Sequence, residues 1–159
     1  HDRPVVDAAL TESERTGGPA AALELPDGSI VTGKTSDLLG ACSALLLNAL
    51  KELAGIGHEI KIISPQAIEP IQSLKTKYLG SRNPRLHTDE VLIALSVSAA
   101  TSEDAKLAME QLPKLKGCQA HVSVMPGSVD IKQFKLLSIQ ATFEAKYEKN
   151  SVFFNNKGV

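Results

Sequence analysis

The sequence predicts an α/β sandwich: a mixed sheet of four to five strands that includes an N-terminal hairpin and is covered by helices. Two observations carry this expectation. Apolar segments with helical spacing alternate along the chain with short apolar runs of strand length. Turn and cap signals separate them at Gly17-Gly18-Pro19, Pro26-Asp27-Gly28, Ser64-Pro65 and Pro126-Gly127. The resulting order is helix, hairpin, helix, strand, three helices, strand, helix, strand.

Pro4 to Arg15 reads as a helix that stops at Gly17. Ala21–Leu25 and Ser29–Gly33 then form a hairpin. Pro26 presets φ for its turn and Gly28 supplies φ > 0. A long helix is expected from Ser36 to Ala54, with Leu38, Cys42, Leu45, Ala49, Leu50 and Leu53 on one face. Its back carries Gly40, Ser43, Ala44 and Leu47 where charge would be usual. A helix apolar on both sides is covered, so these four positions should meet another helix, a missing N-terminal domain or a homo-oligomer partner.

Glu59–Ile63 reads as a strand, and Ser64 caps a helix with Pro65 at its first position. Pro70 should break or restart that helix, which then continues to Leu79. Thr88 is expected to cap the next helix, with Asp89 and Glu90 at its positive end. Thr101 to Asp104 recap another that reaches Leu112. Cys118–Met125 is a strand, a short helix follows from Ser128 with Ile131, Phe134 and Leu137 inward, and Ile139–Tyr147 closes the sheet. Residues 1–147 thus make a single domain. Residues 148–159, rich in Asn and Lys, should be a flexible tail.

Composition narrows the function classes. A net charge of −1 with dispersed Lys and Arg offers no electrostatic footprint for nucleic acid. No apolar run reaches the ~18 residues that a membrane span needs. Cys42 and Cys118 lie far apart without a C-x-x-C, which suits reduced thiols in a cytoplasmic protein. Cys42 falls among leucines and reads as a small buried hydrophobe. The chain begins His-Asp rather than Met, so it is expected to be cut from something longer.

Gly28 to Thr35 formally matches the P-loop pattern G-x-x-x-x-G-K-[ST]. A working P-loop needs a flexible loop whose N–H groups wrap phosphates between a strand and a helix. Ile30-Val31-Thr32 is β-branched and favours an extended strand, so the hairpin uses these residues better. An apolar strand ending in a magnesium-binding Asp is also missing.

Thr32 to Gly40, running on through Ala44–Lys51, and Asn83 to Ser96, together with Leu115–His121, resemble the C-terminal part of a family of large cytosolic bacterial proteins of unknown function, loosely labelled in places as ATP-dependent peptidase. The likeness runs from about Arg3 to Tyr147; the tail beyond departs from it. The resemblance implies that a larger, nucleotide-binding-like α/β region precedes this one and that any site shared between the two is incomplete here. It supplies no catalytic residues. Neither H-E-x-x-H nor G-x-S-x-G occurs, so peptidase chemistry has no motif, although a Ser–Lys pair stays open.

Donors concentrate at two expected helix starts, Lys34-Thr35-Ser36 and Arg85-His87-Thr88. A helix amino end presents unpaired N–H groups and a partial positive charge, which a nearby Lys or Arg reinforces, so these six residues are the candidate anion site. A second reading makes His87, Asp89 and perhaps His121 metal ligands. The plainer one has Thr88 capping, Asp89 and Glu90 complementing the dipole, and the arginines solvated. His58, in a Gly-flanked turn, should be exposed. Catalytic residues and cofactors stay unassigned. The functional expectation is an auxiliary or assembly domain that helps complete an anion or nucleotide site at a domain interface. The alternative is an ATP-dependent hydrolase using Gly28–Thr35, for which ATP with magnesium should raise the melting temperature.

Overall fold

A computed structural model of the chain describes residues 3–146. The expected tail from residue 148 lies outside them. Helix α1 (Pro4–Thr16) opens on Pro4 and ends where Gly17 adopts the left-handed conformation. Strands β1 (Ala20–Glu24) and β2 (Ile30–Lys34) pair antiparallel, Leu23 opposite Val31 and Ala21 opposite Gly33. Gly28, at φ +89°, makes the turn as expected. Its N–H donates to Leu25 O, and Leu25 N–H to Ser29 O.

The remaining elements are α2 (Ala41–Ala54), α3 (Pro65–Ser73), α4 (Thr88–Ser98), α5 (Glu103–Met109), β3 (Gln119–Val122), α6 (Ser128–Leu136) and β4 (Gln140–Phe143). A π-helical turn spans Leu74–Tyr78 and a 3-10 turn Leu112–Leu115. The sheet order is β2-β1-β3-β4, antiparallel except for β3 and β4, which α6 joins as a parallel pair. The mixed α/β sheet is therefore realised with four strands.

Strand β1 is central and buried on both faces, which explains its unbroken apolar run. Ala22 meets Val5 and Ala9 of α1 on one face. Ala21 and Leu23 join Leu45, Leu46, Leu50, Ala120, Val122 and Phe134 in the main core on the other. There α2 lies on β1 and β2, with α4 and α5 packed behind it. The fit of α2 on β2 depends on Gly33. A Cβ at that position would stand 2.3 Å from Leu45 N and 2.8 Å from Ala41 O.

Several elements differ from expectation. Helix α2 starts at Ala41, not Ser36. Ser36 instead closes a turn, accepting from the N–H groups of Leu38 and Leu39, and the chain there pairs with residues around Leu86. The strand expected at Glu59–Ile63 is not formed: Glu59 lies in a turn and Ile62 and Ile63 in a bend outside the sheet, although Ile62 and Ile63 enter the core. Pro70 sits inside α3 without breaking it, and the helix widens into the π turn four residues later. Ser102, within the expected Thr101–Asp104 stretch, caps α5. Ser64 caps α3 as its sequence signal requires, accepting from Ala67 N–H.

On the back of α2, Ser43 and Leu47 are buried, and Gly40 and Ala44 partly so. Within the domain their cover comes from the chain around Leu86, from residues 60–63 and from Ile68 of α3. Leu86 O accepts from Ser43 Oγ at 2.8 Å and from Gly40 N–H at 3.3 Å. Ala44 and Leu47 face Ile60–Ile63 and Ile68 across a small gap. The small residues Gly40 and Ser43 let the Leu86 backbone approach closely.

Candidate functional site

The two segments singled out for anion binding are brought together at one corner. Leu39 bridges to Leu86, Leu86 N–H donates to Leu38 O, and the Arg85 guanidinium donates to Ser36 O. Gln72 of α3 ties the same turn through Asp37 O at 3.0 Å. Ser36, Arg85, His87 and Thr88 therefore belong to one region. Lys34 is directed elsewhere. Because Gly33 faces α2, strand alternation turns the Lys34 side chain to the α1 face, where it acts electrostatically on Glu12. Thr35 donates its N–H to Pro19 O, extending the hairpin ladder. Neither Lys34 nor Thr35 stands at a helix amino end.

The amino end of α4 is genuine, and carboxylates of the same chain fill it. His87, not Thr88, is the N-cap residue. Glu90 Oε1 accepts from His87 N–H at 2.8 Å, as in a capping box. Thr88 is the first helical residue and fully buried; its N–H and Oγ1 donate to Asp130 Oδ1 of α6 at 3.0 and 2.7 Å. Sequence reasoning missed Asp130, which lies 42 residues away. It carried no signal beyond being an acid in the first turn of its own helix.

Beneath this end sits Lys75, buried although it is a lysine. Its ammonium lies 2.8 Å from Glu90 Oε1 and also donates to Arg85 O. Burial alone would raise the Glu90 carboxyl. Hydrogen bonds from His87 and Lys75 outweigh it and bring the pKa down to about 2. The same hydrogen bond raises the His87 pKa, against burial and the Lys75 charge.

Among the described residues, possible ligand atoms of His87, Asp89 and Glu90 lie within 4.8 Å of one another. The Lys75 ammonium already supplies a cation to Glu90. His121, the third residue of the metal reading, is not part of this group. It pairs with Ala22 and Thr142 in the sheet, 5% exposed, with Nδ1 2.7 Å from Thr142 Oγ1 and Nε2 2.7 Å from Glu144 Oε2. Arg3 also donates to Thr142 Oγ1, at 2.6 Å, and to Gln119. His121 thus ties β3 to β4. His58 is exposed as expected, and Cys42 is buried, its thiol pushed well above the usual range by desolvation.

Residues 28–35, which match the P-loop pattern, are the turn and second strand of the hairpin. Their second glycine, Gly33, is explained by the close approach of α2. Among the described residues, no helix is long and apolar enough to cross a membrane.

The family described as "Domain of unknown function DUF1846, C-terminal" matches residues 1–153. Similar proteins include a UPF0371 protein of Corynebacterium glutamicum (strain R), 57% identical over 152 residues that make up 96% of this chain and 31% of that protein. A UPF0371 protein of Streptococcus thermophilus (strain CNRZ 1066) is 49% identical over 152 residues, again 96% of this chain and 31% of that protein. The chain thus spans about a third of the length of the curated relatives it matches. With a match over nearly its whole length, it belongs to the family of C-terminal DUF1846 domains, whose function is unknown.

Proposed function

We propose that this is an auxiliary domain of a cytoplasmic protein, docking through the outer face of α4 onto the region that precedes it in the longer protein. The observation that carries the reading is the exposure of Ile93 and Val97, 63% and 69%, one turn apart on a helix whose opposite face is buried by Val91, Ala94 and Leu95. A helix apolar all round is normally covered. The curated relatives extend well beyond the part matched here, which offers an occupant for the face.

The same face begins one turn after Asp89, beside Arg85 and His87. Docking there would place Arg85 and His87 at the border between regions, where they could complete an anion or nucleotide site. Ser36 O holds the Arg85 guanidinium in place for that role. Thr88 would act through Asp130 rather than on an anion itself, and Lys34 and Thr35 would contribute only from the other side of the sheet.

A cysteine placed at Val97 tests the docking, since both native cysteines are buried. In the full-length protein, Val97→Cys should react with a thiol reagent at least about tenfold more slowly than an exposed thiol, because a covered side chain reacts only through local opening. Reaction at the free rate would overturn the reading. Protection that grows with protein concentration would assign the face to a second copy instead. Binding of phosphate or ATP to the full-length protein should fall on Arg85→Met and persist on Lys34→Met.

A further inference from the structure

We propose that the cleft between the outer edge of β2 and the end of α2 is a binding site for a small ligand bearing a carboxylate or phosphate, with Lys51 as its buried cation. The cleft has a volume of about 500 Å³ and is lined by Ile30, Val31 and Thr32 of β2, Asn48 and Lys51 of α2, and the turn through His58. That volume lies within the range of small-molecule sites.

The chemistry of the ligand follows from what the walls present. In the β1–β2 ladder the Leu25–Ser29 pair is hydrogen-bonded, as Leu25 N–H to Ser29 O shows. Alternation then turns the peptide groups of Val31 and Gly33 toward β1, and those of Ile30 and Thr32 outward. Among the described strands, β2 is an edge, so these outward groups face the cleft. The Thr32 carbonyl is already used: Asn48 Nδ2 donates to it at 2.8 Å. What the edge keeps for a ligand is two donors, the N–H groups of Thr32 and Ile30, against one acceptor, the Ile30 carbonyl.

Lys51 adds the charge. Its side chain is 9% exposed, and the ammonium is fixed by one bond, 2.7 Å to His58 O. An ammonium has three protons to donate, so one carbonyl leaves most of its hydrogen-bonding capacity to the cleft. Burial lowers its pKa, helped by the nearby Lys61 and opposed by Glu59. Glu52 on the lining is the acid a bound anion must avoid. An oxyanion between Lys51 and the Thr32 N–H would satisfy donors that the domain itself leaves short of acceptors.

This site is independent of the α4 face, and its test reads a different residue. Acetylation by an N-hydroxysuccinimide ester attaches the acetyl group to the free amine; N-hydroxysuccinimide departs with the bonding electrons and the amine proton passes to water. Peptide mapping of the full-length protein at neutral pH should find that inorganic phosphate or succinate slows Lys51 modification several-fold, while exposed Lys116 and Lys132 are unaffected. Protection by phosphate alone or by succinate alone identifies the group the site prefers. Equal rates with and without both anions would overturn the proposal, and this comparison needs no variant that might fail to fold. As a second measurement, Asn48→Asp, which sets a carboxylate beside the ammonium, should abolish the protection. Protection surviving that change would also place the anion elsewhere.

Discussion

Replacing Gly33 with alanine is expected to destabilise the domain by about 3 kcal/mol or more, toward the upper end of overpacking costs. The new methyl would lie 2.3 Å from Leu45 N, 2.6 Å from Leu45 Cα and 2.8 Å from Ala41 O. All three are backbone atoms, so no side-chain rotation relieves the clash; α2 would have to move off β2. That movement would open the layer in which Leu45, Leu46 and Leu50 pack on Leu23. Urea unfolding should show a lower midpoint with an unchanged slope. A midpoint within error of the unmodified protein would show that the helix–strand contact is softer than its geometry. The experiment also separates two explanations of the motif-like Gly-Lys-Thr. A packing glycine costs stability when replaced, whereas a phosphate-cradling glycine costs nucleotide binding.

The second large effect is expected at Glu90, as a function of pH. Its carboxyl has a pKa of about 2 in the folded domain against 4.5 for the isolated group. A group whose folded pKa is depressed contributes stability that is complete above the unfolded value and disappears as pH falls through the folded one. The Glu90 contribution should therefore be full above pH 4.5 and vanish between there and about pH 2. By linkage the shift corresponds to about 3 kcal/mol as an upper figure, since the side chain is 26% exposed. His87 works in the other direction. Its raised pKa adds stability that is present below 6.5 and is lost as pH climbs through the folded value. The corner is thus strongest between about pH 4.5 and 6.5.

Glu90→Gln should remove the acid limb and leave the Lys75 ammonium buried without its carboxylate partner, a costly arrangement. Chemical denaturation of both proteins from pH 2 to 7 measures this. The two stability curves should converge in acid and separate by about 2 to 3 kcal/mol above pH 5. Parallel curves across the range would mean that the ion pair contributes nothing. His87→Gln should flatten only the alkaline side.

Much of this arrangement is readable from the residues by local rules. Pro65 behind Ser64 marks the start of α3, Gly17 the end of α1, and Pro26-Asp27-Gly28 the hairpin turn. Each signal acts through a hydrogen bond or a φ value within a few positions of itself, so no knowledge of the fold is required. The β-branched Ile30-Val31-Thr32 likewise separates strand from phosphate loop without any coordinates. That Arg85 and His87 stand just before an acidic helix start was legible as well.

What only the tertiary structure decides is which distant group answers each local demand. Ser36 has every mark of a helix cap, yet α2 begins at Ala41 because the Leu86 segment offers Leu38 and Gly40 backbone partners that a helix would forgo. Ile60–Ile63 has the composition of a strand yet runs through a bend, since a strand exists only where a neighbour completes its ladder. The amino end of α4 invites an anion, and whether that anion is a ligand or Asp130 depends on where α6 packs. Lys75 and Lys51 look like solvated lysines in the sequence. Burial by chain seven to fifteen residues away holds Lys75 in an ion pair and ties the Lys51 ammonium to His58 O. By itself the sequence determined helix, turn and strand preferences, since these arise within a few residues. Pairing, burial and the occupants of each charged corner were settled by long-range packing, because a hydrogen bond or ion pair needs both its partners.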